Sequence, residues 1–149
     1  MDLATARALT AGRAVLAASL LLAVACGGGE EPEALERCTS ALTPGCAELY
    51  QPTFNEIHRR TLAVSCAEPG NACHSSEGRR AGLDLEDIDR AYQGLLDPGL
   101  GRVVPGDPEC SLLMVRLNHP GRSVMPPGAP LSEAERCAIA TWIREGAAR

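Results

Sequence analysis

Six cysteines that follow residue 37 constrain the fold of this 149-residue chain more than any other feature. They are Cys38, Cys46, Cys66, Cys73, Cys110 and Cys137. The N-terminus carries the features of an export signal, and an even number of cysteines outside the reducing cytosol favours covalent pairing. A chain of this length has room for one small hydrophobic core. We therefore expect one small domain whose cysteines take part in covalent bonds.

The first 25 residues are predicted to be a secretory signal peptide of the lipoprotein type. Arg7 and Arg13 precede an apolar run, 14–25, that is too short to span a bilayer as a mature helix. Residues 22–27, with the sequence LAVACG, resemble the lipobox of bacterial lipoproteins. We therefore expect Cys26 to be lipidated, with the domain anchored to a bacterial membrane and facing the periplasm or the cell surface. Ordinary signal cleavage, which would leave Cys26 as an unmodified thiol, is the alternative.

Residues 26–50 are predicted to form a flexible tether. The tether begins with the acidic sequence GGGEEPE at positions 27–33, which has no apolar periodicity. Further along, Cys38 and Cys46 flank a predicted turn at 43–45. A local Cys38–Cys46 disulfide is therefore the favoured interpretation.

Composition and motifs argue against several functions. The formal net charge is −5, all fourteen basic residues are arginine, and no basic cluster is present, so nucleic acid is not expected as a partner. The sequence contains no glycine-rich phosphate loop, no H-E-x-x-H motif and no nucleophile elbow. We therefore do not expect an enzyme.

Residues 51–149 predict an all-α domain of about four helices joined by long loops. Residues 53–56 fit a capping box, which predicts a first helix that runs close to Val64. Apolar periodicity predicts a second helix over 86–96. No strand pattern lasts more than four residues.

Two further helices are predicted in the last third of the chain. Asp107 as N-cap and Pro108 at the first helical position indicate the third helix. Residues 132–135 form a capping box that indicates the fourth. Cys110 and Cys137 each lie early in one of these helices, so a Cys110–Cys137 disulfide is expected.

The segment from Cys66 to His74 carries the clearest chemical signal. A cysteine directly followed by a histidine, as in Cys73-His74, ends a c-type haem site, whose usual spacing is C-x-x-C-H. Here six residues separate Cys66 from Cys73, and a predicted turn at 68–71 could fold the second cysteine back towards the first. The same residues allow a Cys66–Cys73 disulfide, which would leave His74 as an ordinary polar residue.

Much of the sequence after residue 65 resembles a small c-type cytochrome domain of the kind found in planctomycete and myxobacterial secreted proteins. The matching segments are Cys73-His74, 82–85, 104–108, 125–128 and 131–147. The most specific of them are the Met-Pro-Pro-Gly loop at 125–128 and the capped helix that follows it.

The resemblance implies a cytochrome c-like bundle that holds one haem c. Cys66 and Cys73 would form the haem thioethers, His74 would be the proximal axial ligand and Met125 the distal one. Because both axial positions are then filled, the implied function is single-electron transfer to redox partner proteins in the cell envelope. The alternative is a haemless, disulfide-stapled lipoprotein that retains the cytochrome fold as a structural or binding module.

Three other residues are given lesser roles. Met114 on the third helix is predicted to pack in the core. His119 is an alternative distal ligand, although loop histidines are usually exposed to solvent. His58, next to two arginines, is predicted to lie on the exposed face of the first helix.

Overall fold

A computed structural model of the chain describes residues 38–40, 42–68, 73–121 and 123–149. Within these residues there are four α-helices and no strand, which confirms the predicted all-α class. The helices are α1, Phe54–Ile57; α2, Ile88–Leu95; α3, Leu112–Leu117; and α4, Glu133–Arg144. None of the described helices has the length and hydrophobicity needed to span a membrane. The predicted signal peptide and Cys26 lie outside the described residues.

Helix α1 does not end at Ile57 but continues into a π-helical segment, His58–Cys66, which we call the π segment. π-Helical backbone is rare and is frequently found at functional sites. The π segment delivers Cys66 at its last residue. A short 3₁₀ turn, Arg80–Gly82, follows in the loop before α2.

The core is organised around the ring of Phe54 on α1. Its centroid lies 5.3 Å from that of Trp142 on α4 and 5.0 Å from that of Tyr92 on α2. Met114 is fully buried, which confirms its predicted packing role. Burial of each large apolar side chain contributes roughly 1.5–3 kcal/mol. The other large core side chains are aliphatic: Ile57, Leu62, Leu83, Leu85, Leu95, Leu117, Leu131, Ile139 and Ile143.

The two predicted capping boxes form to different degrees. At α4 the box is complete, because Glu135 N–H donates to Ser132 Oγ and Ser132 N–H donates to the Glu135 carboxylate at 2.9 Å. At α1 only one half forms, with Glu56 N–H 3.4 Å from Thr53 Oγ1. The carboxylate of Glu56 instead receives hydrogen bonds from the next turn, through Arg59 and Arg60.

Helix α3 begins later than predicted, at Leu112 rather than next to Asp107. Asp107 Oδ1 accepts from Cys110 N–H at 3.0 Å and so caps a separate turn. The buried hydroxyl of Ser111 donates to Asp107 O at 2.8 Å and accepts from Val104 N–H at 2.9 Å. These contacts hold the preceding turn outside the helix, which is why the predicted start is wrong.

The disulfides join Cys38 to Cys110 and Cys46 to Cys137. The predicted pairs Cys38–Cys46 and Cys110–Cys137 are therefore wrong. Cross-links that close loops of 72 and 91 residues each stabilise the fold by about 4–5 kcal/mol on loop-entropy grounds.

The physical reason for this pairing is that residues 42–50 lie along α4. Leu49 N–H donates to Ala134 O at 3.1 Å, and Thr43 Oγ1 donates to the Glu133 carboxylate at 2.8 Å. Near the other end of the helix, Thr141 Oγ1 donates to the Glu48 carboxylate at 3.0 Å. Residues 42–50, which the sequence analysis placed in the tether, are therefore attached to the domain.

Candidate functional site

Cys66, Cys73 and His74 lie together, at the junction of the π segment and the loop that follows it. His74 N–H donates to Cys66 O at 3.2 Å, and Arg80 N–H donates to Cys73 O at 2.7 Å. Both cysteines are partly buried, and neither belongs to a disulfide. The alternative Cys66–Cys73 disulfide is therefore not formed in this structure. Most of the turn predicted at 68–71 lies outside the described residues.

The electrostatic surroundings keep Cys66 protonated. Burial raises the pKa of the Cys66 thiol to about 12, and the nearby Cys73 and Glu135 contribute in the same direction. At neutral pH Cys66 is therefore a thiol and not the thiolate that metal ions bind. Among the described residues, no group of three or more histidine, cysteine or acidic side chains is arranged to hold a metal ion.

The imidazole of His74 is neutral and incompletely hydrogen-bonded. Burial lowers its pKa, and the backbone groups of Leu83 and Arg80 offset only part of that effect. Within the described part of the chain, Nδ1 of His74 is buried and has no hydrogen-bond partner. A buried nitrogen left in this state costs about 1–3 kcal/mol, and such atoms in native proteins commonly serve a ligand, a water or a functional role.

Leu85 holds the backbone of His74 in place. Leu85 N–H donates to His74 O at 2.8 Å, and Leu85 O is 3.0 Å from Nε2 of His58. His58 is only 8 % exposed, so its predicted place on the solvent-facing side of the helix is wrong. His58 follows the fully buried Phe54 by four residues, so one helical turn places it on the same core-facing side.

A second buried group, Asp84, fixes the loop between His74 and α2. Its Oδ1 accepts hydrogen bonds from Glu86 N–H at 3.1 Å and from Ser76 Oγ at 3.3 Å. Its Oδ2 forms an ion pair with Nε of Arg90 at 2.9 Å. Burial alone would raise the pKa of Asp84, but these hydrogen bonds and the Arg90 charge outweigh it and lower the pKa. Asp84 is thus a charged anchor for the loop.

Met125 lies on a separate loop after α3. Its N–H donates to Arg116 O at 3.0 Å, and the Met125-Pro126 peptide bond is cis. Met125 and Cys66 are both partly buried and pack against the same hydrophobic core. The other candidate distal ligand, His119, uses Nδ1 to accept a hydrogen bond from the nearby N–H of Gly121 at 3.1 Å.

The side chains present fit a covalently attached haem in their chemistry. Cys66 and Cys73 offer two thiols outside the disulfides, and His74 offers a neutral imidazole with a buried nitrogen that lacks a partner. Met125 offers a thioether on a different loop, where it packs against the core. Sequence reasoning named these four residues as candidates, but it missed the contacts of His58 and Leu85 beside His74.

A comparison with protein families agrees with the predicted resemblance. Residues 71–128 match the family model described as planctomycete cytochrome C, which covers less than half of the chain. The match includes Cys73, His74 and Met125, whereas Cys66 and α4 lie outside it. It supports a planctomycete-type cytochrome c-like domain, as the sequence analysis predicted. No curated protein and no solved structure matches the chain.

Proposed function

We propose that this planctomycete-type cytochrome c-like domain carries one covalently bound haem c and transfers single electrons to redox partner proteins in the cell envelope. One observation carries the proposal. His74, whose buried Nδ1 lacks a partner within the described residues, is hydrogen-bonded to Cys66 and adjoins Cys73, and both cysteines are outside the disulfides. Thiols and an imidazole in this order are the donor set of a c-type haem site.

Each of the four site residues has a distinct role in this proposal. The thiols of Cys66 and Cys73 would form the thioethers to the haem, and His74 and Met125 would be the ligands of its iron. When bound, the haem supplies a one-electron iron couple whose potential a methionine ligand raises. The protein keeps His74 neutral through burial and holds its backbone between Cys66 and Leu85. The aliphatic core beside Cys66 and Met125 limits the access of water.

The same proposal places the domain close to a membrane. Removal of the first 25 residues and lipidation of Cys26 would attach the chain to a bacterial membrane. The Cys38–Cys110 disulfide ties the next cysteine directly to the domain. The intervening chain can span at most about 40 Å when fully extended, so the domain would stay within that distance of the lipid surface. Metabolic labelling with a radiolabelled fatty acid tests this part, with Cys26→Ala as the unlabelled control.

Haem content of the exported protein tests the central part of the proposal. We expect one haem per chain, by pyridine haemochrome absorbance, when the protein is co-expressed with a cytochrome maturation system. Cys73→Ala and His74→Ala should abolish haem attachment, whereas His119→Gln should retain it, because Met125 and not His119 is the second iron ligand in this proposal. Properly exported and folded wild-type protein without haem would contradict the proposal.

A second function is favoured by a different observation. The two disulfides cross-link the described part of the fold without using Cys66 or Cys73. A haemless module that acts as a scaffold or binding domain is therefore the alternative. It predicts exported protein without haem in which thiol mapping finds Cys66 linked to Cys73.

A further inference from the structure

A closed ring of contacts holds the candidate site. His58 Nε2 lies 3.0 Å from Leu85 O, Leu85 N–H donates to His74 O at 2.8 Å, and His74 N–H donates to Cys66 O at 3.2 Å. His58 and Cys66 are the first and last residues of the π segment. The helical backbone therefore closes the ring, and its four residues are held relative to each other.

In the contact between His58 Nε2 and Leu85 O, His58 is the donor. A backbone carbonyl oxygen can only accept, so Nε2 of His58 must carry a proton and donate to Leu85 O. Leu85 is only 2 % exposed, so little water reaches its carbonyl while the His58 ring is in place. An unsatisfied buried carbonyl is costly, so loss of the donor favours movement of Leu85 and of the residues bonded to it.

The position of His58 is itself well determined. Its ring packs against Phe54, with 6.0 Å between the ring centroids, and Phe54 is fully buried at the centre of the core. The side chain of Leu85 is itself part of the core, and the hydrogen bond from His58 fixes the orientation of its carbonyl. On the far side of the ring, His74 and Cys66 have no comparable aromatic support among the contacts that the structure describes.

We propose that His58 is the positioning residue of this site. By donating to Leu85 O it holds Leu85, and through Leu85 it fixes His74 beside Cys66. The effect on haem properties rests on the proposed function, whereas the effect on the accessibility of the two thiols does not. The proposal therefore has one readout that needs haem and one that does not.

The variants distinguish the donor from other properties of histidine. His58→Leu removes the donor, and His58→Gln places an amide N–H near the position of Nε2. His58→Asn keeps a polar side chain that is too short to reach Leu85 O. Thr61→Val is the matched control, because Thr61 is buried on the same π segment and bonds to Tyr50, outside the ring.

The first measurement uses the full-length, haem-free protein with its disulfides formed. Native alkylation of Cys66 and Cys73, followed by mass spectrometry, should be about tenfold faster in His58→Leu and His58→Asn than in the wild type. His58→Gln and Thr61→Val should stay close to the wild-type rate. An unchanged rate in His58→Asn, or an equally fast rate in His58→Gln, would overturn the proposal. His58→Asn and His58→Gln together show whether the donor controls thiol accessibility, even if His58→Leu does not fold.

The second measurement uses the haem-loaded protein. His58→Asn should shift the midpoint potential, and His58→Gln should restore it, because the position of the proximal ligand is what changes. An equal potential in all variants would contradict the role of His58. If the wild type takes up no haem at all, the proposed function fails, and the alkylation rates alone then decide the role of His58.

Discussion

Two regions of this domain use cysteine in opposite ways. On the stapled side, which comprises residues 42–50 and α4, Cys46 is cross-linked to Cys137. On the thiol side, which comprises Cys66, Cys73, His74 and Leu85, two neighbouring cysteines remain outside any disulfide. The stapled side is held by covalent bonds and the thiol side by hydrogen bonds. Cross-linking is therefore not the common role of the six cysteines, since the pair closest in sequence, Cys66 and Cys73, is outside the disulfides.

The largest expected loss of stability comes from removing the disulfide of the stapled side. Replacing Cys46 and Cys137 together by alanine should lower the free energy of unfolding by about 4 kcal/mol, because the unfolded chain regains the entropy of a long loop. Urea unfolding followed by Trp142 fluorescence measures the change.

The matched control for that experiment is the double variant Cys66→Ala and Cys73→Ala in the haem-free protein. This variant removes two cysteines but no cross-link, so its free energy of unfolding should fall by much less. An equal loss of unfolding free energy in the two double variants would contradict the claim that only the stapled side is held by a disulfide.

A smaller effect is expected from the charged anchor of the thiol side. Asp84→Asn should lower the free energy of unfolding by about 1–3 kcal/mol at neutral pH, because it weakens the contacts to Arg90, Ser76 and Glu86. Exposed Glu77→Gln in the same loop is the control and should have little effect. Urea unfolding at neutral pH measures both.

The pH dependence of that difference sharpens the prediction. The pKa of Asp84 is lowered in the folded protein, so its charge stabilises the fold above the unfolded-state pKa, near 3.8. The stabilisation is lost as the pH falls through the lowered folded-state pKa. The gap between the wild type and Asp84→Asn should therefore narrow in acid. A gap that is constant from pH 7 down to about pH 2 would contradict this assignment.

The smallest effect compares the two helix caps. Ser132→Ala should cost about 1 kcal/mol, because it removes both the hydroxyl acceptor and the partner of Glu135 in a complete capping box. Thr53→Ala should cost less, since the single hydrogen bond there is 3.4 Å long. Thermal or urea unfolding ranks the two variants, and a larger loss for Thr53→Ala would contradict the structure.

Local signals predicted the parts of the fold that depend on neighbouring residues. The capping box of α4, the burial of Met114 and the all-α class each follow from residues within one or two helical turns. The disulfide pairing could not be found in this way. Four cysteines allow three connectivities, and the choice depends on how residues 42–50 lie along α4.

Sequence reasoning proposed candidate ligands for the site but not the hydrogen bonds that position them. The order of Cys73, His74 and Met125 in the chain indicated the donor set. The role of His58 was hidden, because its partner Leu85 is 27 residues away and because the two arginines that follow it suggested an exposed face. Long-range backbone contacts of this kind leave no periodic signal in the sequence.

The central claim is that the thiol side carries a haem, and peptide mass spectrometry of the exported, mature protein tests it most directly. After digestion without reduction, we expect a peptide that contains Cys66, Cys73 and His74 and whose mass is increased by one haem. The peptides of the stapled side should remain joined through Cys46 and Cys137. Recovery of the Cys66–Cys73 peptide two hydrogens lighter, as an internal disulfide and without haem, would contradict the account.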